Sequence, residues 1–169
     1  MKRELYFAYG SNMNLRQMNI RCPDAKALKI VVLNDFALAF RGGNEGNGVA
    51  TILPRKGSNV KGVLWSITAD CKKALDRYEG YPHLYGRTSI LVEDSNHNQH
   101  MAMVYTMNEP YKSIPCMPSH VYEETIFDGF YKNGINPYPL FWAIEETKRE
   151  MQGDKESPPP IRKGDGKER

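Results

Sequence analysis

The segment Leu5-Tyr6-Phe7-Ala8-Tyr9-Gly10-Ser11-Asn12 constrains this chain more than any other. An uncharged aromatic and aliphatic run stops at a Gly-Ser-Asn triplet. The run fits a strand buried in the core, over 4–9, and the triplet breaks it. The next stretch, 14–20, fits a short helix stopped before Pro23. A turn of this kind presents successive backbone N–H groups together with the start of a helix. That arrangement suits a carboxylate or a developing oxyanion. Taken alone, the triplet is better explained by helix capping through Ser11 or Asn12.

The other elements follow from local pattern. Alternation predicts strands at 27–32, 35–40, 49–53 and 62–68, with 42–48 a hairpin loop and 54–59 a break. A helix is expected at 69–78. Strands at 87–93 and 101–107 form a hairpin around Asp94-Ser95-Asn96-His97-Asn98. Two helices finish the order, at 119–132 after Pro118 and at 140–151 before Gly153. Phe130-Tyr131 and Phe141-Trp142 fit core positions better than an adaptor surface. Strands with interspersed and trailing helices argue an α+β fold with a mostly antiparallel sheet curled on itself. A chain of 169 residues is long enough for one domain with its own core. Residues 1–152 are read as that domain. Residues 153–169 are rich in proline and opposed charges and are read as a mobile polar tail.

Composition narrows the function. At 40% hydrophobic and 25% charged residues the chain is neither collagen-like, coiled-coil nor wholly disordered. A net charge of +3 is too slight for a nucleic-acid partner. No stretch reaches the ~18 apolar residues of a membrane span. The apolar run at 5–9 is too short for a signal-peptide core. The expectation is a cytoplasmic protein with no membrane partner. Its oligomeric state is not legible. Cys22, Cys71 and Cys116 are odd in number and lack CxxC spacing. They are expected to be three reduced thiols, with no disulfide framework and no structural zinc. The glycines at 42–48 are followed by Val49-Ala50, not by Lys-Ser or Lys-Thr, and by a strand, not a helix, so neither a Walker loop nor a dinucleotide motif fits. His97 and His100 fall in a polar hairpin tip and read as solvated loop residues, with no metal expected.

A second segment carries chemistry: Leu75-Asp76-Arg77-Tyr78-Glu79-Gly80, followed by Tyr81-Pro82-His83-Leu84-Tyr85. Glu79 stands where a helix ends, just before the glycine of a C-terminal stop. A carboxylate there faces the negative end of the helix dipole. Tyr78, Tyr81, Leu84 and Tyr85 are close enough in sequence to help desolvate it. Both effects raise its pKa above about 4.3 and suit it to acid/base work near neutrality. An exposed Glu79, or one paired with Arg77 or Arg87, accounts for the segment equally well.

Together these segments resemble the γ-glutamylcyclotransferase-like family. The strand into Tyr9-Gly10-Ser11-Asn12 matches its first signature, and Glu79-Gly80 after Leu75-Asp76 its second. Leu33-Asn34-Asp35-Phe36, Val49-Ala50-Thr51-Ile52 and Gly62-Val63-Leu64-Trp65 stand between them in the family's order. Pro118-Ser119-His120-Val121-Tyr122 resembles the opening of its late helix. The match covers about residues 4–150. It implies a small mixed, mostly antiparallel β-barrel with flanking helices and one cavity. It implies cleavage of γ-glutamyl amides by attack of the substrate's own α-amine on its γ-carbonyl, without metal or organic cofactor. The products are then 5-oxoproline and a free amine or amino acid. On this resemblance Glu79 is the general acid/base. Tyr6, Phe7, Ala8, Tyr9, Gly10, Ser11 and Asn12 line the substrate site, with Tyr85 and Tyr122. The leaving group stays open among an amino acid, a lysine ε-amine and a protected small amine, with the rim at 81–84 and 108–117 deciding. A non-catalytic module holding a small anion is the alternative class; a carboxyl in its pocket argues against it.

Overall fold

The computed structural model describes residues 2–153; the expected tail, beyond Gly153, lies outside the described residues. Five strands close into a barrel in the order β1-β3-β2-β4-β5. They are β1 (Glu4–Ala8), β2 (Lys26–Arg41), β3 (Val49–Ile67), β4 (Tyr85–Glu93) and β5 (Gln99–Met107). Neighbours are antiparallel except β1 and β5, whose parallel pairing of Tyr6 with Met103 closes the ring. The helices are α1 (Leu15–Arg21), α2 (Ala69–Tyr78), α3 (His120–Lys132) and α4 (Tyr138–Met151). The α+β class and the mixed barrel are therefore as the resemblance implies.

The sequence puts breaks inside both long strands, and the structure runs through them. β2 continues from Lys26 to Arg41, and β3 from Val49 through Pro54 to Ile67. Pro54 lacks an N–H, so it belongs at an edge or a bulge. It sits at one: the register slips between Asn34 and Phe36, opposite Pro54, and Asp35 takes φ 63°. The local signal for a break is thus real, but it marks a bulge that bends a long hairpin rather than ending it.

Side chains of Phe7, Phe40, Leu64, Leu75 and Val104 fill the core, and Ile126, Phe130 and Leu140 dock α3 and α4 on it. The paired aromatics divide. Phe130 is buried, while Tyr131 is 73% and Phe141 45% exposed, so the expectation of core holds for only part of these segments. Tyr131 and Phe141 both pack on Phe127 at the surface.

The cysteines correct the sequence reading. Cys22 caps the end of α1 and Cys71 lies in the first turn of α2; they form a disulfide with Cα atoms 5.0 Å apart. Their 49-residue separation hides the pairing, which exists because the barrel packs the two helices side by side. Cys116 is free and buried. The hairpin-tip histidines are also more engaged than expected. His97 meets Glu93 at 2.8 Å, and His100 meets Asp94 at 2.8 Å. Asp94 further accepts from the backbone N–H groups of Asn96 and Asn98, so its carboxyl orders the turn. No helix among the described residues is long and apolar enough to cross a membrane.

Two contacts place the strand that leads to the site. A Cβ at Gly62 would lie 2.6 Å from Phe7 Cε2 and closer still to the Ala8 carbonyl, so β3 requires glycine there. Gly62→Ala should destabilise the fold by about 1–3 kcal/mol, the range for overpacking. Phe130→Ala should cost about 3–5 kcal/mol by opening a cavity under α3. Urea unfolding of both variants checks these values.

Candidate active site

After β1 the chain turns through Gly10 into one turn of 3-10 helix, Ser11–Met13. That turn is closed by Met13 N to Gly10 O and Asn14 N to Ser11 O, both 3.1 Å. Among the described residues, the N–H groups of Ser11 and Asn12 then have no protein acceptor. The helix cap falls elsewhere, on Asn14, whose side chain accepts from Gln17 N. Capping therefore does not account for Ser11 and Asn12, both of which are buried.

Glu79 arrives from the other side. It is the C-cap of α2, and Gly80 follows with φ 63°. Gly80 N bonds to Arg77 O and Tyr81 N to Asp76 O, the paired closure of a helix that ends in a left-handed glycine. This stop turns the Glu79 side chain into a small pocket lined by Tyr6, Tyr9, Gly10, Ser11, Asn12, Ala50, Glu79, Tyr85, Tyr105 and Tyr122. The sequence-predicted set thus converges, with two corrections. Phe7 and Ala8 are buried in the barrel and do not line the pocket. Strand alternation is the reason for Phe7: successive side chains point to opposite faces, and Tyr6 takes the pocket side.

Each phenol is placed by a defined partner. Tyr9 donates to Tyr105 O at 2.6 Å, and Tyr85 donates to Ala50 O. Tyr122 accepts from Ala50 N at 3.1 Å, and Tyr6 accepts from Asn12 Nδ2 at 2.9 Å. The Tyr6 and Tyr122 hydroxyls therefore keep their own hydrogens for the pocket. Tyr105 donates to Asp76 at 2.6 Å, whose other oxygen accepts from Arg87 at 3.1 Å. Arg87 is thus held by Asp76 and not by Glu79. Tyr105 and Ala50 carry no local signal in the sequence. They reach the pocket only through the pairing of β4 with β5 and of β2 with β3.

Helix α3 brings Tyr122 because it is fastened to the 3-10 turn. Asn14 Nδ2 donates to Thr125 O and Asp128, and Asn133 donates to Met13 O. A Cβ at Gly129 would lie 3.1 Å from Asn14 N, so the bare glycine permits this approach.

Burial among these rings raises the Glu79 pKa to about 7, against the opposing Arg21 charge and the Asn12 hydrogen bond. The same burial keeps Tyr6, Tyr9, Tyr85 and Tyr122 well above the usual phenol range, so they act as neutral hydroxyls. At pH near 7 Glu79 exchanges a proton readily, as an acid/base group must. The raised pKa also acts on stability. Between about 4.3, where an unfolded Glu79 releases its proton, and about 7, the folded chain binds more protons than the unfolded one. Its stability contribution is complete below that interval and is lost as pH rises through it. Glu79→Gln does not titrate, so its Tm relative to wild type should climb across this interval and level off above it. Thermal melts of both proteins from pH 4 to 9 check the trend.

The γ-glutamyl cyclotransferase, AIG2-like family model matches residues 6–124. The chain is 31% identical to a γ-glutamylcyclotransferase of Bos taurus over 96% of its own length and 90% of that protein. It is 32% identical to one of Homo sapiens over 78% of its length and 72% of that protein. A solved structure of a γ-glutamyl cyclotransferase superposes with a TM-score of 0.73 at 26% identity, covering 95% of this chain and 92% of the other. In sequence and in fold, the chain belongs to the γ-glutamyl cyclotransferase, AIG2-like family.

Proposed function

We propose that this γ-glutamylcyclotransferase-type enzyme cleaves γ-glutamyl amides by internal aminolysis, with Glu79 moving the protons. One observation carries the reading. A buried carboxyl, its proton held towards neutrality by desolvation, shares a small pocket with two N–H groups that have no acceptor among the described residues. Nucleophile and electrophile belong to one substrate, so the protein must fold it and manage charge.

Glu79 as carboxylate takes a proton from the substrate α-ammonium. The freed amine attacks the γ-carbonyl carbon, forming the ring C–N bond and an oxyanion. Glu79, now protonated, gives its proton to the departing nitrogen as the old C–N bond breaks. The ring nitrogen sheds its extra proton to Glu79, which passes it to the released amine and returns to the carboxylate, so the cycle closes with 5-oxoproline and the protonated amine as products. The Ser11 and Asn12 N–H groups and the Tyr122 hydroxyl are the donors available for the oxyanion or the substrate carboxylate. None of these steps calls for a metal or an organic cofactor.

The test is a product assay over a panel of γ-glutamyl dipeptides and γ-glutamyl amines, reading 5-oxoproline beside the released amine. Wild type should release both, and the best substrate names the leaving group. Glu79→Gln should fold and lose at least about 10²-fold in turnover, within the range for a general acid/base. Undiminished turnover by this variant removes Glu79 from the role. Ligand binding with no product across the panel returns the pocket to an anion-holding module.

A further inference from the structure

Arg21, the last residue of α1, points back at the site from outside the pocket lining. Its Nη1 donates to Asn12 Oδ1 at 2.6 Å, and its Cζ lies 3.5 Å over the centre of the Tyr78 ring. Tyr78 in turn shares a hydrogen bond of 3.2 Å with Ser11 Oγ. Asn12 Nδ2 spends its two hydrogens on Tyr6 OH at 2.9 Å and on Glu79 Oε1 at 3.1 Å.

A carboxamide has nearly the same shape in either of its two orientations but opposite polarity. Turned over, Asn12 would set its oxygen against the Glu79 carboxylate and its N–H groups against a guanidinium, which has no acceptor. Asn12 is 2% exposed, so water cannot repair such a mismatch. We propose that Arg21 is a positioning residue of the active site, which locks Asn12 so that its amide nitrogen, and not its oxygen, faces Glu79 and Tyr6. The inference rests on Glu79 as the acid/base group. Its effect is to hold one carboxyl oxygen and leave the other for the substrate, while the Tyr6 proton stays free for the pocket.

Arg21 also acts through its charge. Against the burial that raises the Glu79 pKa, Arg21 is the larger opposing influence and the Asn12 hydrogen bond the smaller. The titratable groups around Glu79 are Tyr6 on β1, Tyr9 just beyond it, Tyr78 on α2, Tyr85 on β4, Tyr105 on β5 and Tyr122 on α3. Tyr6, Tyr9, Tyr85, Tyr105 and Tyr122 stay protonated through neutrality, so they do not replace the lost cation.

The experiment compares wild type with Arg21→Met, Arg21→Lys, Asn12→Ala and the Arg21→Met/Asn12→Ala double variant, using the best substrate of the panel. Arg21→Met should lower kcat by about 10²-fold, the scale of a misplaced catalytic group, with KM changed far less. The acidic limb of its kcat/KM profile should move to higher pH. Arg21→Lys keeps the charge without the planar stack; it should return the limb to its wild-type position while restoring kcat only in part. In the Asn12→Ala background the Arg21→Met change should cost little further kcat, because the two act as a unit. If Arg21→Met does not fold, Arg21→Lys in the wild-type and Asn12→Ala backgrounds supplies the same cycle. Additive losses in kcat, or an unchanged kcat and limb in a folded Arg21→Met protein, overturn the positioning role. Glu79→Gln run in parallel separates the two ideas: if it is inactive while Arg21→Met is unimpaired, only the Arg21 inference fails, and if it is fully active the acid/base assignment fails first.

Discussion

Strand β1 is paired along both edges, antiparallel to β3 and parallel to β5, and this double pairing is what the site hangs from. A strand held on both sides cannot shift register without turning its side chains to the wrong face. Tyr6 therefore has one available direction, and the chain leaves the barrel at Gly10 in one position. The 3-10 turn, the fastening of α3 to it through Asn14 and Asn133, and the reach of Tyr122 to Ala50 all follow from that exit point. Gly62 serves the same constraint from β3, where any side chain would push β1 outward.

Onto this rigid side the fold brings one group whose burial is unfavourable. A carboxyl in a ring of phenols loses its hydration, and its proton is held to about pH 7. The neighbours offset only part of that, through Arg21 and Asn12. A salt bridge made directly to Glu79 would return the carboxyl towards its ordinary pKa, away from neutrality. Placing the arginine one residue back, behind Asn12, keeps the charge close without making that bridge. Arg87, one of the two arginines the sequence offers as a partner for Glu79, is taken instead by Asp76.

Much of the site was legible because its two halves are local. The Gly-Ser-Asn break and the Glu-Gly helix stop are each a few residues long, and their backbone geometry is set by the residues themselves. The structure moves both away from their simpler explanations: Asn14 does the capping, and Glu79 has neither Arg77 nor Arg87 as partner. Residues that enter by long-range pairing were not legible. Tyr105 reaches the pocket on β5, Arg21 enters at the far end of α1, and neither stands in a pattern of its own. The Cys22–Cys71 disulfide was misjudged for the same reason, since a sequence separation of 49 carries no trace of two helices packing side by side. Phe7 was misplaced by extending a motif along a strand whose alternate side chains face away from the pocket.

By itself the sequence determined the class of fold, the positions of the helices to within a residue or two, the sharp exit from β1 and the helix stop at Glu79. These depend on propensity, capping and the backbone freedom of glycine, which act over a few residues. Only the tertiary structure decided that β2 and β3 run unbroken through the bulge at Pro54, that β1 closes the ring against β5, and that six elements present their polar groups to one carboxyl. Dielectric environment is the physical reason. The proton affinity of Glu79 depends on which atoms exclude water from it, and those atoms are contributed from positions 6 to 122 of the chain.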